Sequence, residues 1–210
     1  MAAARPRSYS TAIQALRARL REGSYPPGQR ICAVEVADEL GLSATPVREA
    51  LCRLSGEGLL EERRGQGFFV PVVAAEDVAD LYRLSLVHLL IALGPGPDGR
   101  TRAADEPDVG GATPVTLVEA LFMGWVRDAG SRSLVRAHGL VQVQLGPLRR
   151  AEAGLLDGLE EEALDLARAR AGPERLRAVR RFHARRIALA SGLAEARLAR
   201  AREGAGIWFE

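Results

Sequence analysis

The chain contains no lysine and no asparagine, so all 29 of its basic residues are arginines. It has only two cysteines, Cys32 and Cys52, which form neither a CxxC motif nor a disulfide framework. No apolar run reaches the roughly 18 residues that a membrane helix requires. The first ten residues lack the apolar segment of a signal peptide. These absences predict a reduced, cytoplasmic protein with no membrane partner.

Charge is also nearly balanced, with a formal net charge of +2 over 210 residues. A charge this small does not by itself indicate a nucleic-acid partner, so the placement of the arginines has to decide that point. The length suits one large domain or two small ones. We predict two domains, residues 1–74 and residues 75–210, and a mainly α fold.

The first domain is predicted to run helix, helix, tight turn, helix, hairpin. Amphipathic periodicity indicates helices over Tyr9–Arg21 and Val34–Leu40, and a third helix over Ala44–Gly56. Ser43 and Thr45 are alternative N-caps of the third helix. Two strand-like pieces then flank RGQG, whose glycines permit a tight turn and predict a β-hairpin wing.

The third helix has two faces. Val47, Leu51 and Leu54 share an apolar face, and Thr45 and Arg48 lie on a polar one. Two helices joined by a short glycine-containing turn form a helix-turn-helix, whose second helix enters the major groove of double-stranded DNA. We expect the DNA contacts to come from this helix and the wing: Ser43, Ala44, Thr45, Pro46, Arg48, Arg53, Arg63, Arg64, Gly65, Gln66 and Gly67.

From Ala75 onward the apolar period is helical, and the pattern predicts an antiparallel α-helical bundle. A loop rich in glycine, proline and aspartate, residues 94–114, interrupts it. The predicted helices are Asp77–Leu93, Val115–Arg127, Ser133–Arg150, Leu155–Ala171 and Pro173–Glu203.

The arginine run RLRAVRRFHARR, residues 175–186, has two interpretations. We expect it to be the solvated face of an amphipathic helix, paired with the acidic residues 160–165. The alternative is a second surface that binds a polyanion.

The only three histidines of the chain, His88, His138 and His183, fall on apolar stripes of different predicted helices. Three imidazoles in one cavity would suit Zn²⁺ or a small ligand. Three separate, hydrogen-bonded histidines are the alternative. Because no carboxylate shares a ligand spacing with them, we predict no metal and no cofactor. The three histidines remain candidates for binding a small effector.

The segment YPPGQRICAVEVADELGLSATPVREALCRLSGEGLLEERRGQGFFV resembles the DNA-binding domain of the GntR family of bacterial transcription regulators. The PPG turn, the TPVREAL core, the GLL and the glycine wing follow one another in the family's order. The resemblance covers about Tyr9–Val73. It implies a repressor that binds a palindromic operator as a homodimer.

The helical remainder resembles the FadR-like subgroup of that family, whose C-terminal domain is an all-helical bundle that binds an effector. The resemblance implies a small-molecule effector, such as an organic acid, for this chain. It rests on the start of the first bundle helix, AAEDVADLYRLSLVHLLIA, and on the order of the helices.

One departure from the family lies at Ala44, where relatives read SRTPVREAL and this chain reads SATPVREAL. The family's arginine contacts a base, and alanine offers only a methyl group. One bidentate guanine contact is therefore lost, worth about 1–3 kcal/mol. Arg30 or Arg53 could supply a substitute contact, which the sequence leaves open.

The bundle departs from the family as well. Val118 and Phe122 align with positions where many relatives have metal ligands, and only His183 lies near an expected ligand position. Ser85 and His88 stand where relatives often have arginine and glutamate. By this comparison the family's metal site is absent.

Three other functions are left as alternatives. The chain could be a degenerate dimeric DNA-binding regulator that has no effector. It could be a metal-binding enzyme built on the bundle, although no acid–base pair is recognisable. It could also be a protein-interaction module that no longer binds DNA. We predict a regulator and not an enzyme.

Overall fold

The computed structural model describes residues 4–95 and 111–205. The fold is mainly helical with one small antiparallel sheet, as predicted. In chain order the elements are α1 Ala4–Glu22, β1 Arg30–Ile31, α2 Ala33–Leu40, α3 Ala44–Gly56, β2 Glu61–Arg63, β3 Gly67–Phe69, α4 Ala75–Leu93, α5 Pro114–Asp128, α6 Arg132–Ala151, α7 Leu159–Arg168, α8 Pro173–Ala188 and α9 Ala190–Ala205.

These elements form two compact units. The first contains the described residues up to Val73 together with those from Arg197 onward, and the second is Ala74–Ala196. The first unit is a winged helix-turn-helix, and the second is a helical bundle. Most of the predicted loop, residues 96–110, lies outside the described residues.

Helix α3 packs against both α1 and α2 in the first unit. The predicted apolar face is buried, with Val47, Leu51 and Leu54 each at 0% exposure. Ser43 occupies the N-cap position in extended backbone (φ −80°, ψ 157°), although its side chain makes no capping hydrogen bond. The turn before it starts at Gly41, whose φ of 64° is in the left-handed region that glycine adopts without strain.

The wing is the predicted hairpin, with Arg63 opposite Gly67 in its register. A third strand, β1, was not predicted. It pairs with β3, so the sheet order is β1-β3-β2. Arg30 lies opposite Phe69 in this pairing. A strand of two residues is too short for an alternating pattern to reveal, which is why it was not predicted.

In the bundle, α4 contacts α5, α6 and α8. Because it is contacted from several sides, its buried face is wide and includes Tyr82 and Ser85, both at 0% exposure. The apolar period of the sequence places Leu81, Leu84 and His88 on one stripe of this helix, and this prediction is only partly correct. His88 is buried, but Leu84 is 45% exposed.

Two predicted helix boundaries were wrong. The helix expected over Leu155–Ala171 is confined to Leu159–Arg168 and starts after Gly158, whose φ is 69°. The long helix expected from Pro173 onward is interrupted at Leu189, whose N–H bonds to the carbonyl of Arg186, three residues back. No proline lies at this interruption, and its only local signal is the pair Ser191–Gly192 directly after it, a pair at which helices bend.

Candidate DNA-binding surface and the polar interior of the bundle

The start of α3 presents a small polar surface. Ser43, Thr45 and Arg48 are exposed, and Ala44 is half-buried. No ion pair or hydrogen bond of the Arg48 side chain is found among the described residues. Pro46, which was predicted as a contact, is instead buried. Its ring lies in the first turn, where the N–H that proline lacks has no intrahelical acceptor.

Arg53 also lies on the exposed side of α3, but it already has a partner. Its Nε donates to Oε1 of Glu57 at 2.7 Å, and Glu57 also pairs with Arg17. Burial alone would raise the pKa of Glu57, yet these two arginines hold it below its usual value. A DNA phosphate would therefore compete with Glu57 for Arg53, whereas Arg48 faces no such competition.

The wing turn exposes Arg64, Gly65 and Gln66, and it is built on glycines at positive φ. Arg63 is less available than Arg64. It pairs with Glu61 at 3.0 Å, and its guanidinium carbon lies 4.2 Å from the centroid of the Phe69 ring.

Arg30 joins the wing through the unpredicted strand β1. A Cβ added to Gly67, whose φ is 106°, would lie 3.3 Å from Nε of Arg30. Glycine at this position thus lets an exposed arginine lie against the wing. The sequence analysis named Arg30 only as a possible substitute for the missing arginine at position 44. Its place at the wing depends on the β1–β3 pairing, which carries no local sequence signal.

Two of the three candidate histidines come together inside the bundle. The rings of His88 and His138 meet edge to face, with centroids 5.7 Å apart. His183 stacks on Phe122 instead, with the two ring centroids 5.4 Å apart. Within residues 4–95 and 111–205, no three His, Cys, Asp or Glu side chains are grouped so that they could hold a metal ion.

Hydrogen bonds fix the tautomers of the two fully buried histidines. Nδ1 of His183 donates to the carbonyl of Val179 at 2.8 Å, so its Nε2 accepts from the Ser85 hydroxyl at 3.0 Å. Nε2 of His138 accepts from the Gln142 amide at 2.8 Å, because the amide oxygen of Gln142 accepts from Arg149. Burial, reinforced by nearby Arg149, lowers the pKa of each histidine to about 3. Both are therefore neutral at neutral pH.

A buried ionic network lies beside them. Arg186 and Glu152, exposed by 1% and 3%, form a two-pronged pair, with Nε to Oε1 at 2.9 Å and Nη2 to Oε2 at 2.8 Å. The hydroxyl of Tyr82 donates to the same carboxylate at 2.7 Å, and Glu162 accepts from Arg186 at 2.8 Å. Burial opposes the charge on Arg186, but the two carboxylates raise its pKa above the ordinary value.

This network corrects the interpretation of the run at 175–186 as a solvated face. Arg177, Arg180 and Arg181 are exposed as expected, but Arg175 and Arg186 are buried. Because charged residues are rarely buried, a charge-rich helix is assigned to the surface unless the partners of its inward residues are known.

The geometry of the first unit agrees with the comparison to known proteins. Residues 8–70 match the sequence model of the family described as bacterial regulatory proteins, gntR family. The N-terminal segment is thus similar to the domain that this family model describes. The match ends before the bundle, so the similarity to the GntR family concerns the winged helix-turn-helix alone.

Described proteins with a similar sequence are transcriptional regulators. One is an uncharacterized HTH-type transcriptional regulator of Agrobacterium vitis, 32% identical over 57% of this chain and 61% of its own length. Another is the Nta operon transcriptional regulator of Aminobacter aminovorans, 48% identical over 29% of each chain. The chain therefore spans less than two thirds of the length of either relative. Both are described as transcriptional regulators and neither as an enzyme.

A solved structure extends the likeness of fold to both units. McbR/YncC of E. coli covers 94% of this chain with 98% of its own length, at a TM-score of 0.55 and 20% sequence identity. This identity supports similarity of fold only. Among the described residues, no helix is both long and apolar enough to cross a membrane.

Proposed function

We propose that this protein is a DNA-binding transcription regulator of the GntR family that represses transcription from a palindromic operator. The observation that carries the proposal is the division of α3 into a fully buried apolar face and an exposed start, where Arg48 has no ion pair or side-chain hydrogen bond to any other described residue. The exposed wing residues Arg64 and Gln66, with Arg30 beside them, supply a second contact surface. Both described relatives are transcriptional regulators, which agrees with this proposal.

The protein would act as a homodimer. Two copies of the first unit would place their α3 helices in successive major grooves, about 34 Å apart on one side of the duplex. The bundle unit, by its resemblance to the FadR-like subgroup, would carry dimerisation and a small-molecule site. An effector there changes DNA affinity only if it binds one arrangement of the dimer better than the other.

Among the candidate contacts, Arg48 would read a base edge, and Thr45 and Ser43 would position the helix start. The free N–H groups and the positive end of the helix dipole at Ala44 favour a phosphate at the same place. Arg64 and Gln66 of the wing would contact the DNA backbone. Arg53 and Arg63 would do so after exchanging their carboxylate partners for phosphates. In the bundle, His88 and His138 would be the candidates for contact with the effector, with His183 alongside them in the polar interior.

The test is binding of the full chain to the upstream region of its own gene and to random DNA, each at two salt concentrations. We expect a strong preference for the upstream region, and its loss in Arg48→Ala, by about 1–3 kcal/mol. Arg136→Ala is the matched control, because Arg136 is exposed but belongs to the bundle unit. This control should keep the preference.

Equal and equally salt-dependent binding to both DNAs would show contact with phosphates alone and would contradict a sequence-specific regulator. A wild-type protein that is monomeric at the concentrations where it binds DNA would contradict the dimer. If Arg48→Ala and Arg136→Ala behave alike, α3 is not the element that reads the operator.

A further inference from the structure

Glu57 directly follows α3 and joins two arginines that belong to different helices. Its Oε1 accepts from Nε of Arg53 at 2.7 Å, and its Oε2 accepts from Nη2 of Arg17 on α1. The side chain of Glu57 is only 7% exposed. Burial acts to raise the pKa of Glu57, but the two arginines hold it below its ordinary value, so the carboxylate is ionised at neutral pH.

Arg53 lies at one edge of the exposed face of α3. A separation of five residues places it about 140° around the helix from Arg48. The exposed residues Thr45 and Cys52 lie between the two arginines. A helix in the major groove has phosphates along its edges, so an arginine at an edge contacts the DNA backbone and not a base.

The carboxylate of Glu57 offers Arg53 the same chemistry as a phosphate. Both groups accept charge-assisted hydrogen bonds from a guanidinium. Within the described part of the chain, Arg53 uses only Nε, so its two Nη nitrogens can meet a phosphate before Nε leaves Glu57. A guanidinium that is already paired gains less from a phosphate, and it releases fewer counterions from DNA.

Arg17 allows Arg53 to be exchanged without leaving Glu57 unpaired. It lies on α1, which packs against α3, and its Nε is buried. A buried charge that loses its only partner strongly destabilises a fold. Because Glu57 keeps Arg17, the departure of Arg53 does not create such a charge. Arg53 can therefore pass between Glu57 and a phosphate.

The ion pair of the wing, Arg63 with Glu61, lacks this anchoring. Its side chains are 44% and 47% exposed, and no second arginine among the described residues pairs with Glu61. Water competes for both partners of an exposed pair, so the pair constrains its arginine only weakly. Of the two carboxylates, Glu57 is the one that is held in place to compete with DNA.

We propose that Glu57 sets the DNA affinity of this protein: it holds Arg53 as an internal competitor of the DNA phosphates and weakens binding to every sequence by about the same factor. It acts through Arg53 and is therefore a positioning residue. The proposal rests on the proposed function for its regulatory setting. It concerns the strength of DNA binding, whereas the proposed function concerns preference for an operator. Since phosphates carry no sequence information, that preference does not change.

The experiment measures binding of the full chain to the upstream region of its own gene and to random DNA over a series of salt concentrations. Glu57→Gln keeps the size of the side chain and an acceptor for Arg17 but removes the charge. It should bind both DNAs roughly three- to fivefold more tightly than the wild type. The slope of log K against log salt should steepen by about 0.9, the value for one further phosphate. The ratio of the two affinities should stay within about twofold of the wild-type ratio.

Two controls separate this effect from a general change of charge. Glu39→Gln removes one negative charge from the same unit, but Glu39 pairs with Arg19 and not with Arg53. It should give less than about half of the gain, because it frees no arginine of α3. In an Arg53→Ala background, Glu57→Gln should give no gain, because the arginine that it would release is absent.

Arg17→Gln tests the same competition in the opposite direction. Without Arg17, Glu57 depends on Arg53 alone and holds it more firmly. Binding to both DNAs should therefore be weaker than in Arg19→Gln, a charge-matched change on the same helix. Circular dichroism and thermal unfolding of each variant show whether it is folded.

The proposal is overturned if folded Glu57→Gln binds DNA no more tightly than Glu39→Gln, or if the gain persists in the Arg53→Ala background. If Glu57→Gln does not fold, Arg17→Gln decides, and an affinity equal to that of Arg19→Gln overturns the proposal. A gain on both DNAs in a protein without operator preference supports the role of Glu57 and refutes the proposed function. Operator preference without the gain does the reverse.

Discussion

The two units of this protein use arginine in opposite ways. In the winged helix-turn-helix, Arg48 and Arg64 are exposed at the helix start and at the wing. In the bundle, Arg149 and Arg186 are each 1% exposed and lie among carboxylates, histidines and apolar side chains. A hydrated guanidinium can exchange water for a phosphate at little cost, whereas a buried one depends entirely on its internal partners. The same residue type is therefore available for contact with a partner molecule in one unit and engaged in internal interactions in the other.

The exposure of the arginines also sets how much stability is lost when their ion pairs are broken. The ion pair of Arg63 with Glu61 is at the surface, where such pairs contribute up to about 1 kcal/mol. Breaking a buried pair costs about 3–5 kcal/mol, because it leaves a charge without compensation. Perturbations of the bundle should therefore change stability most, and perturbations of the first unit should chiefly change binding.

The largest effect should come from acidification, which adds charge to the interior of the bundle. Folded His138 and His183 have a pKa of about 3, below the value near 6.5 of an unfolded histidine. Between these values only the unfolded state takes up the protons, so the free energy of unfolding falls as pH falls. From pH 7 to pH 5 the loss should be about 2 kcal/mol for each histidine.

Urea unfolding followed by circular dichroism at the two pH values measures this loss. In His183→Gln, the loss of stability between pH 7 and pH 5 should be smaller by about 2 kcal/mol, because one of the buried histidines with a lowered pKa is gone. A variant with the full dependence of the wild type would show that other groups bind the protons.

The next effect in size should come from Glu152→Gln, which removes the charge that compensates Arg186. We expect the free energy of unfolding to fall by about 3 kcal/mol, the lower end for a broken buried pair, since Glu162 still accepts from Arg186. Denaturant titration at neutral pH measures the change. Glu160→Gln is the control, because Glu160 is exposed and should change stability by less than about 0.5 kcal/mol. Equal effects in the two variants would contradict the network.

The smallest effect should follow from Ala44→Arg, which adds an exposed arginine to the first unit. The half-buried Ala44 lies at the start of α3 beside Thr45, where the resemblance places a base-contacting arginine. We expect tighter binding to guanine-containing operators by about 1–3 kcal/mol, with little change in stability. Competition binding against a set of operator variants measures the preference. An unchanged preference would mean that Arg30 or another residue already makes this contact.

The winged helix-turn-helix could be predicted from sequence because its signals are local. The apolar period of α3, the turn at Gly41 and the glycines of the wing each specify their own structure, and α3 was predicted with its observed bounds. The strand β1 was missed because it exists only through its pairing with β3, which lies far along the chain.

The bundle interior could not be predicted to the same degree. Histidine positions on apolar stripes predicted burial, and His88, His138 and His183 are all buried. Whether buried side chains meet depends on how helices distant in sequence pack together. The partners of Arg186 and the burial of Arg149 are decided by that packing, and the charge pattern of residues 175–186 predicted a surface position for Arg186.

The strand order β1-β3-β2 has a consequence for how the chain acquires its structure. Because residue 30 pairs with residue 69, both helices of the helix-turn-helix lie inside the loop that this pairing closes. As the chain is synthesised, α2 and α3 emerge before the strand that completes the sheet. A nascent chain halted before Phe69 would contain α3 but not the completed wing, and the entropic cost of closing that loop would not yet be offset by the β1–β3 pairing. The winged helix-turn-helix should therefore become protected against proteases in one step, once β3 has emerged from the ribosome.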